Sequence, residues 1–461
     1  MRYVPLFILI GCSGAEVSTE TSQVSTPTVA EGNCELQNGN ALRIDCNFSN
    51  LAGTNTTVVA TDGVVARSFE VEDGLTTIWG LTEEMVYEVS VLDNTGASIY
   101  SKTITTGTIP NSVGLSASVT GTRDKGGVLV QDCASDATLV IFDDEGSIVW
   151  YQDFTDLVPG AELYGYTLTK DDSIVVSTGH DSIAEVALSG QLLRTISLSD
   201  YGLTGLLHHD IQSRNGMIYG LFAYQQGSFV YDGVYIFDEQ NAHVGTIESH
   251  NFIDGQAVLD AGFIPPDQYW SGVFSNADSA GHGNSVFMSE NGELVISYRF
   301  LNTVVSLDGD HTSGTFGDVN WMLEGIDHGA IEGDFSLVSD VTADLEFEAP
   351  HCAQIGPTGA LTVFDNGVGG VDARGLTISL DGNRAEITGS YNLQEECAVQ
   401  SSIIEMDNGD VLLGCAETFM VYEFSPGESS PHWTMAIQTT CSQGGGGPPP
   451  MTPRALPVAL H

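Results

Sequence analysis

Three histidines recur at a matching position in three successive segments of the chain. His209, His282 and His351 each lie seven to ten residues before the glycine of a polar turn. The chain has 11 histidines in all, so three in one register are unexpected by chance. Imidazole is a nucleophile, a general base and a metal ligand near neutral pH. If the three segments are equivalent strands, the spacing predicts imidazoles that converge on one site.

Polar side chains that can bind or orient a ligand accompany these histidines. They carry imidazole, carboxylate, amide or guanidinium groups, and they are His208, Asp210, Asn284, Arg299, Asp365, Asn366 and Arg374. Because Lys and Arg together number only 13, an arginine beside such a motif is informative. Neighbours on a regular strand point to opposite sides, so we expect only one of His208 and His209 to face the site.

A metal site is the alternative interpretation of the same residues. Three imidazoles with Asp210 nearby suit zinc, or calcium with water ligands. Arg299 argues against this because a guanidinium is unfavourable beside a cation. Asp365 and Asn366, followed by Gly367, are equally compatible with a simple turn at the end of a strand. We therefore predict an anion site without a metal or a cofactor.

Repeating elements would position these residues. From residue 115 onward, polar turns alternate with short apolar strands, and no long helix pattern competes. Six strand endings recur at intervals of about 45 to 75 residues, a spacing typical of propeller blades. They lie at residues 140–146, 187–190, 234–238, 305–309, 379–382 and 422–427. We predict an all-β fold with a six-bladed β-propeller over residues 115–440, in which the first strand of each blade lines the axis.

A smaller β-domain is predicted before the propeller. Residues 33–107 carry short alternating strands bounded by turn residues. The segment from Trp79 to Tyr87 resembles the tyrosine corner of fibronectin type III domains, in which the Tyr hydroxyl hydrogen-bonds back to the chain. We therefore predict a small immunoglobulin/fibronectin-III-like β-sandwich.

The two ends of the chain have compositions typical of segments outside a folded core. Residues 1–11 read as a lipoprotein signal peptide, which would make Cys12 the acylated first residue. Residues 12–32 are Ser/Thr-rich and read as a tether, whereas the Gly/Pro-rich tail 441–461 is predicted to be disordered. We expect an exported lipoprotein, periplasm-facing or at the cell surface of the outer membrane, that meets the membrane only through its lipid.

Export places the other cysteines in an oxidising compartment, where they can pair. Cys34 and Cys46 flank a hairpin turn signal and are the first expected disulfide. Two further candidate pairs are Cys397 with Cys415 and Cys133 with Cys441. Seven cysteines remain after Cys12, so at least one thiol should stay free, and Cys352 is the candidate.

The net charge excludes some classes of partner. With 61 acidic and 13 basic residues, the chain carries a formal charge of -48. Binding to nucleic acid or to an anionic membrane surface is electrostatically implausible. We interpret most of the carboxylates as a solvated surface, with calcium binding as the lesser alternative. The sequence leaves the oligomeric state open.

The histidine segments together resemble one family of enzymes. They read His208-His209-Asp210, then His282-Gly283-Asn284-Ser285 with Ser297-Tyr298-Arg299 downstream, then His351 before Phe364-Asp365-Asn366-Gly367. In this order and on this repeat they resemble the bacterial arylsulfate sulfotransferases. The resemblance covers roughly residues 115 to 435, and a small preceding sandwich also fits that family.

The resemblance implies a ping-pong transfer of a sulfuryl group from an aryl sulfate donor to a phenolic acceptor. It makes His351 the nucleophile, and a neutral imidazole is competent for that role. Sulfuryl transfer, like phosphoryl transfer, needs positioning and charge stabilisation most. The implied oxygen-binding residues are His209, His282, Asn284 and Arg299, assisted by Arg374. Where the family commonly has an acid after the nucleophile, this chain has Cys352.

A second function remains possible from the residues alone. The chain would then be a non-catalytic, lipid-tethered propeller that binds sulfated or other anionic ligands, with the histidines as a receptor site. Release of 4-nitrophenolate from 4-nitrophenyl sulfate would discriminate the two functions, because only the enzyme breaks the ester bond.

Overall fold

The computed structural model describes residues 29–51, 55–124, 126–132, 137–262, 270, 273–274, 277–327, 329–367, 371–439 and 454–460. These residues form 34 strands, one short helix, α1 (Gly255–Asp260), and three 3-10 turns at Phe154–Asp156, Leu198–Tyr201 and Ser249–Asn251. The predicted all-β class is confirmed. No helix in this part of the chain has the length and apolar character needed to cross a membrane.

Residues 32–105 fold into two antiparallel sheets around a shared apolar core. One sheet has the order β1-β2-β5 and the other β4-β3-β6-β7. Their strands are β1 (Gly32–Leu36), β2 (Ile44–Phe48), β3 (Thr57–Thr61), β4 (Ala66–Glu70), β5 (Leu75–Ile78), β6 (Val86–Leu92) and β7 (Ser98–Thr105). Alternate residues such as Val58 and Val89 point inward and are fully buried. A disulfide joins Cys34 to Cys46 across β1 and β2, the pair expected from the hairpin spacing.

A side-chain hydrogen bond fixes the turn that enters β6. The backbone N–H of Thr82 donates to the Tyr87 hydroxyl over 3.0 Å, and Tyr87 is buried. This is the bond expected of a tyrosine corner.

Arg43 attaches the sandwich to the rest of the protein. Its guanidinium donates to Gln152 over 2.9 Å and lies over the Trp150 ring.

The remaining described residues form six sheets of four or five strands. Pairing is antiparallel except for β20 and β25, which add parallel edges. The strands of the first three sheets are β9 (Gly127–Asp132), β10 (Thr138–Asp143), β11 (Ile148–Asp153), β12 (Gly165–Leu168), β13 (Ser173–Ser177), β14 (Ser182–Ala187), β15 (Leu192–Ser197), β16 (Leu206–Arg214), β17 (Met217–Gln226), β18 (Phe229–Phe237), β19 (His243–Glu248) and β20 (Asp278–Ser279), with β34 (Leu456–Val458) beside β9. Those of the last three are β21 (Gly283–Met288), β22 (Glu293–Tyr298), β23 (Thr303–Asp308), β24 (Val319–Glu324), β25 (Ser336–Ser339), β26 (His351–Ile355), β27 (Leu361–Asp365), β28 (Arg374–Asp381), β29 (Arg384–Asn392), β30 (Ser402–Glu405), β31 (Val411–Cys415), β32 (Met420–Phe424) and β33 (Trp433–Thr439), with β8 (Leu115–Gly121) beside β33.

One strand of each sheet packs against its counterparts in the neighbouring sheets. We call β12, β16, β21, β26, β30 and β34 the inner strands, because they contact one another in succession. The short β34 joins this set through its flanking residues. Ala455 bonds to the Ser402 hydroxyl of β30, and the Arg454 carbonyl accepts from Tyr166 of β12. Sheets arranged with their inner strands around a common centre form a propeller-like fold.

The C-terminal segment corrects one prediction. The tail 441–461 was expected to be disordered, and this is wrong for residues 454–460. Leu456 to Val458 pair with β9, and Arg454 is only 8% exposed. The Gly/Pro run ends at residue 450, and the apolar residues that follow it can form a strand. Residues 440–453 and 1–28 lie outside the described residues, together with the predictions for Cys12, Cys133 and Cys441.

Candidate active site

Each histidine of the predicted register lies where an inner strand departs from regular pairing. The pairing register shifts between Leu207 and Ile211 in β16, between Gly283 and Ser285 in β21, and between His351 and Gln354 in β26. Such bulges re-aim side chains and are common next to active sites. His209 and His282 have φ angles of 53° and 59°, in the left-handed region that non-glycine residues rarely adopt. The irregular backbone therefore turns these side chains toward a common point.

The structure brings these histidines to one cleft. It is lined by His209, Asn284, His351, Cys352, Gln400, Ser401 and Arg454. His282 packs edge-on against His209, with ring centroids 4.8 Å apart. Arg299 lies close enough to lower the pKa of both His209 and His351 through its charge. The cleft thus combines imidazole groups with positive charge, as an anion site requires.

Hydrogen bonds fix the tautomer of His351. Its Nδ1 lies 3.0 Å from the Ala349 carbonyl and 2.6 Å from Oδ1 of Asn366. Asn366 is oriented because its Nδ2 donates to the carbonyls of Cys397 and Gln400 over 2.5 and 3.0 Å. Both partners of Nδ1 are therefore acceptors, so Nδ1 carries the hydrogen. The lone pair of the neutral ring then lies on Nε2.

The surroundings keep His351 uncharged at neutral pH. Burial, followed by the charge of Arg299, holds the pKa of His351 well below its usual value. Burial, with nearby His282, His208, His351 and Arg299, does the same to the pKa of His209. A neutral imidazole is the nucleophilic form.

Asn284 supports the backbone that leads into His351. Its Nδ2 donates to the Pro350 carbonyl over 2.8 Å, and its Oδ1 accepts from the Ser297 hydroxyl over 2.5 Å. The amide borders the cleft, and its observed contacts hold the backbone that precedes His351. This role follows from β21 and β26 being neighbouring inner strands.

Arg374 and Asp365 stand behind the site rather than in it. Arg374 Nε donates to Asp365 over 2.8 Å, and its other nitrogens donate to the carbonyls of Asp344 and Glu346. The second Asp365 oxygen accepts from the N–H of Glu348 over 3.0 Å. These bonds hold the segment before His351, so the substrate contact predicted for Arg374 and Asp365 is replaced by a supporting role.

His208 lies behind His209, and only His209 is among the residues that line the cleft. Alternation on a regular strand would send His208 and His209 to opposite sides, but the bulge in β16 breaks that alternation. Their Nδ1 atoms lie 2.7 Å apart. His208 Nε2 lies 3.2 Å from Oδ1 of Asp232, a carboxylate that the sequence did not single out.

Arg454 is one of three cleft residues that sequence reasoning missed, together with Gln400 and Ser401. Its two terminal nitrogens donate to both oxygens of Asp210, with Nη1 2.6 Å from Oδ1. Asp210 also accepts from the N–H of Val286 in β21 over 2.7 Å. The scarcity of arginine that made Arg299 informative applies equally to Arg454. Because Asp210 is occupied by this pair, it does not serve as the carboxylate ligand of the metal alternative.

A disulfide braces the other wall of the cleft. Cys397 and Cys415 are bonded, and the segment that follows Cys397 accepts hydrogen bonds from Asn366 and, through the Ala398 carbonyl, from Arg299. Cys352 is a free, buried thiol, and burial raises its pKa. It therefore presents a neutral S–H beside His351.

The fold and the site define a nearly all-β protein with a cleft of histidine and arginine side chains at the centre of its inner strands. A family model described as Arylsulfotransferase (ASST) matches residues 70–376, about two thirds of the chain. The chain belongs to this arylsulfotransferase family, which confirms the resemblance drawn from its motifs. The match includes His209, His282 and His351, whereas Arg454 lies beyond it.

Solved structures give more distant similarities. A protein of unknown function from Bacteroides caccae is 12% identical with a TM-score of 0.45, covering 73% of this chain and 99% of that one. A streptogramin B lyase is 11% identical with a TM-score of 0.38, covering 90% and 96%. BamB from Moraxella catarrhalis is 10% identical with a TM-score of 0.31, covering 88% and 96%. No curated protein matches this chain at a significant level.

Proposed function

We propose that this protein is an arylsulfate sulfotransferase that passes a sulfuryl group from an aryl sulfate to a phenol through a sulfohistidine at His351. The observation that carries the proposal is the tautomer of this ring. Nδ1–H is committed to Ala349 and Asn366, so the lone pair of Nε2 is the nucleophile. The family of the chain supports an arylsulfotransferase-like activity in general.

In the first half-reaction, Nε2 of His351 attacks the sulfur of the donor. An N–S bond forms, the bond from sulfur to the aryl oxygen breaks, and the phenolate leaves with the electron pair. Arg299 offsets the negative charge on the sulfuryl oxygens, and Asn366 keeps its hydrogen bond to Nδ1–H throughout. In the second half-reaction the oxygen of an acceptor phenol attacks the same sulfur and returns the electron pair to Nε2.

The proposed architecture is a six-bladed β-propeller preceded by an immunoglobulin/fibronectin-III-like sandwich. The succession of inner strands from β12 to β34 supports the blade count, because each belongs to a different sheet. The hydrogen bond from Thr82 to the Tyr87 hydroxyl supports the fibronectin-like assignment of the sandwich.

The proposed location is outside the cytoplasm, periplasm-facing or on the cell surface, with Cys12 carrying the lipid. The disulfides Cys34–Cys46 and Cys397–Cys415 support export, because such bonds persist in oxidising compartments. Labelling of the expressed chain with a fatty-acid analogue, with Cys12→Ser as the control, tests the anchor. Labelling that is equal in the control would overturn it.

The test of the activity uses 4-nitrophenyl sulfate with and without phenol. We expect a burst of 4-nitrophenolate without phenol, steady release with phenol, and a sulfuryl adduct on the His351 peptide by mass spectrometry. Steady release without an acceptor would indicate a hydrolase. Binding of the donor without any release would indicate the receptor alternative, which the family of the chain does not favour.

A further inference from the structure

A row of three polar side chains runs from the cleft into the interior. His208 Nδ1 lies 2.7 Å from His209 Nδ1, and His208 Nε2 lies 3.2 Å from Oδ1 of Asp232. His208 and Asp232 are 1% and 2% exposed, whereas His209 is partly exposed at the cleft. Neither inner residue has a part in the steps described above, although burying an imidazole and a carboxylate is costly unless they are paired.

The innermost carboxylate is held in place. Oδ2 of Asp232 accepts from the N–H of Gly283 over 2.7 Å, which ties it to the start of β21. Oδ1 of Asp232 and Nε2 of His208 are both buried, and His208 also interacts with the backbone of Phe222. The Trp270 ring packs edge-on against His208 at 5.0 Å. The contact between His208 and Asp232 is therefore shielded from water.

Valence assigns the protons along this row. A carboxylate only accepts, so Nε2 of His208 carries the hydrogen that faces Asp232. The lone pair of neutral His208 is then on Nδ1, which accepts the hydrogen on Nδ1 of His209. The remaining ring nitrogen of His209, Nε2, is consequently the basic one. As in other imidazole sites, the hydrogen bond at one nitrogen sets the state of the other.

We propose that Asp232 and His208 form a proton relay through which His209 acts as the general base for the phenolic acceptor. This inference rests on the proposed sulfotransferase function and concerns its second half-reaction. His209 touches the acceptor and is the catalytic residue, whereas His208 and Asp232 act through it.

In the proposed step the phenol oxygen bonds to sulfur, and the electron pair of the N–S bond returns to Nε2 of His351. The phenol proton moves to Nε2 of His209, whose Nδ1 proton passes to Nδ1 of His208. The imidazolium at His208 is then paired with Asp232. In the next donor half-reaction the proton returns by the same route to the leaving phenolate, so no further acid or base is consumed.

Electrostatics explain why a relay is needed. Burial and the neighbouring imidazoles and Arg299 hold the pKa of His209 well below its usual value, so an isolated His209 would be a poor base. Burial lowers the pKa of His208 as well, but less than that of His209, because the hydrogen bond and the charge of Asp232 raise it. Passing the proton on to His208 therefore moves the positive charge next to a carboxylate. Attraction within a buried pair is strong because the local dielectric constant is low.

The test variant is Asp232→Asn. The amide keeps an oxygen that accepts from the N–H of Gly283, and it presents an N–H to Nε2 of His208. Each hydrogen bond along the row then runs in the opposite direction, so Nε2 of His209 becomes protonated. We expect the burst of 4-nitrophenolate to be unchanged, because this leaving group needs no proton. Transfer to unsubstituted phenol should fall by about 10²-fold or more, as for loss of a general base. Transfer to pentafluorophenol, which is already ionised, should be unaffected.

Matched variants keep the inference falsifiable. His208→Phe preserves a ring against Trp270 and should show the same selective loss. Asp143→Asn, a turn carboxylate that accepts from Ser147 over 2.8 Å, should change none of the three rates. Equal losses for burst and both acceptors would mean that Asp232 is only structural, and unchanged rates would exclude the relay. If the wild-type protein shows no burst, the sulfotransferase proposal itself fails.

Discussion

The N-terminal sandwich and the ring of inner strands bury different kinds of side chain. The sandwich core is nearly all apolar, with residues such as Ile44, Val58 and Val91 fully buried around the Cys34–Cys46 disulfide. The centre of the ring buries polar and charged groups, which include His208, Asp210, Asp232, His282, Asn284, His351, Asp365, Asn366, Arg374 and Arg454. Because buried polar groups must be paired, each buried side chain of the ring requires a specific hydrogen-bonding or charged partner. The apolar side chains of the sandwich core require only neighbours of complementary shape.

The backbones of the two regions differ in the same sense. Among the described residues of the sandwich, the non-glycine residues with left-handed φ are Asp73 and Glu84, which lie in polar turns. At the ring they include His209, His282 and Cys352, all at the cleft. Unfavourable backbone persists where surrounding structure over-determines it, and it clusters at functional sites. Strained backbone and buried polar groups are thus found together at the cleft.

The largest expected effect is that of His351→Gln. Loss of the nucleophile should reduce transfer from 4-nitrophenyl sulfate by roughly 10³-fold or more. The matched control is His243→Gln on the outer strand β19, where the ring contacts the Thr246 hydroxyl, and it should leave transfer unchanged. Steady-state kinetics with both variants give the answer. A His351→Gln protein that retains the burst would require a different nucleophile.

The next effect comes from separating the buried ion pair. Arg454→Met leaves Asp210 uncompensated, and breaking such a pair costs about 3–5 kcal/mol of the free energy of unfolding. Asp210→Asn combined with Arg454→Met removes both charges and should recover most of that stability. Urea unfolding of the single and double variants measures the difference. A double variant as unstable as the single one would show that Arg454 acts through packing alone.

The two disulfides should separate activity from stability. Cys397→Ser with Cys415→Ser loosens the segment that orients Asn366, so turnover should fall about tenfold or more, as small misplacements at active sites cause. Cys34→Ser with Cys46→Ser should lower the free energy of unfolding by about 2–4 kcal/mol and leave turnover unchanged. Turnover and denaturant midpoints for both pairs test this contrast. Equal turnover in the two double variants would contradict a special role of the Cys397–Cys415 disulfide at the site.

The smallest expected effect is that of mild acid. The neutral ring of His351 is the active form, and its lowered pKa means that this form persists below the usual histidine pKa. A histidine of ordinary pKa, about 6.5, would lose about tenfold in donor kcat/KM between pH 7.5 and 5.5. We expect a much smaller loss, read from initial rates. If donor kcat/KM instead falls to half near pH 6.5, the His351 ring is not buried with Arg299 during turnover.

The lowered pKa values of His209 and His351 also make the stability of the fold depend on pH. Buried histidines that stay neutral in the folded state become protonated on unfolding once the pH falls below about 6.5. The unfolded state then binds more protons, so the free energy of unfolding should decrease as the pH falls through that value. Melting temperatures measured alongside the rates distinguish this loss of folded protein from titration of the site.

Part of the site could be predicted because it repeats. The register of His209, His282 and His351 follows from equivalent strands, and hairpin spacing indicated Cys34 with Cys46. The alternation rule failed for His208 and His209, because a bulge is a local backbone event that the side-chain pattern does not encode. Composition failed for residues 454–460, since a few apolar residues after a Gly/Pro run can still add to an open sheet edge.

The sequence by itself determined an all-β chain, the family, and which histidines share a position. Those properties depend on local periodicity and on motif order, which are written along the chain. Only the tertiary structure decided that Arg454 meets Asp210, 244 residues away, that Asn366 fixes the tautomer of His351, and that Asp232 lies behind His208. Such pairings depend on how sheets distant in sequence pack around one centre, where low dielectric and exclusion of water make each partner matter.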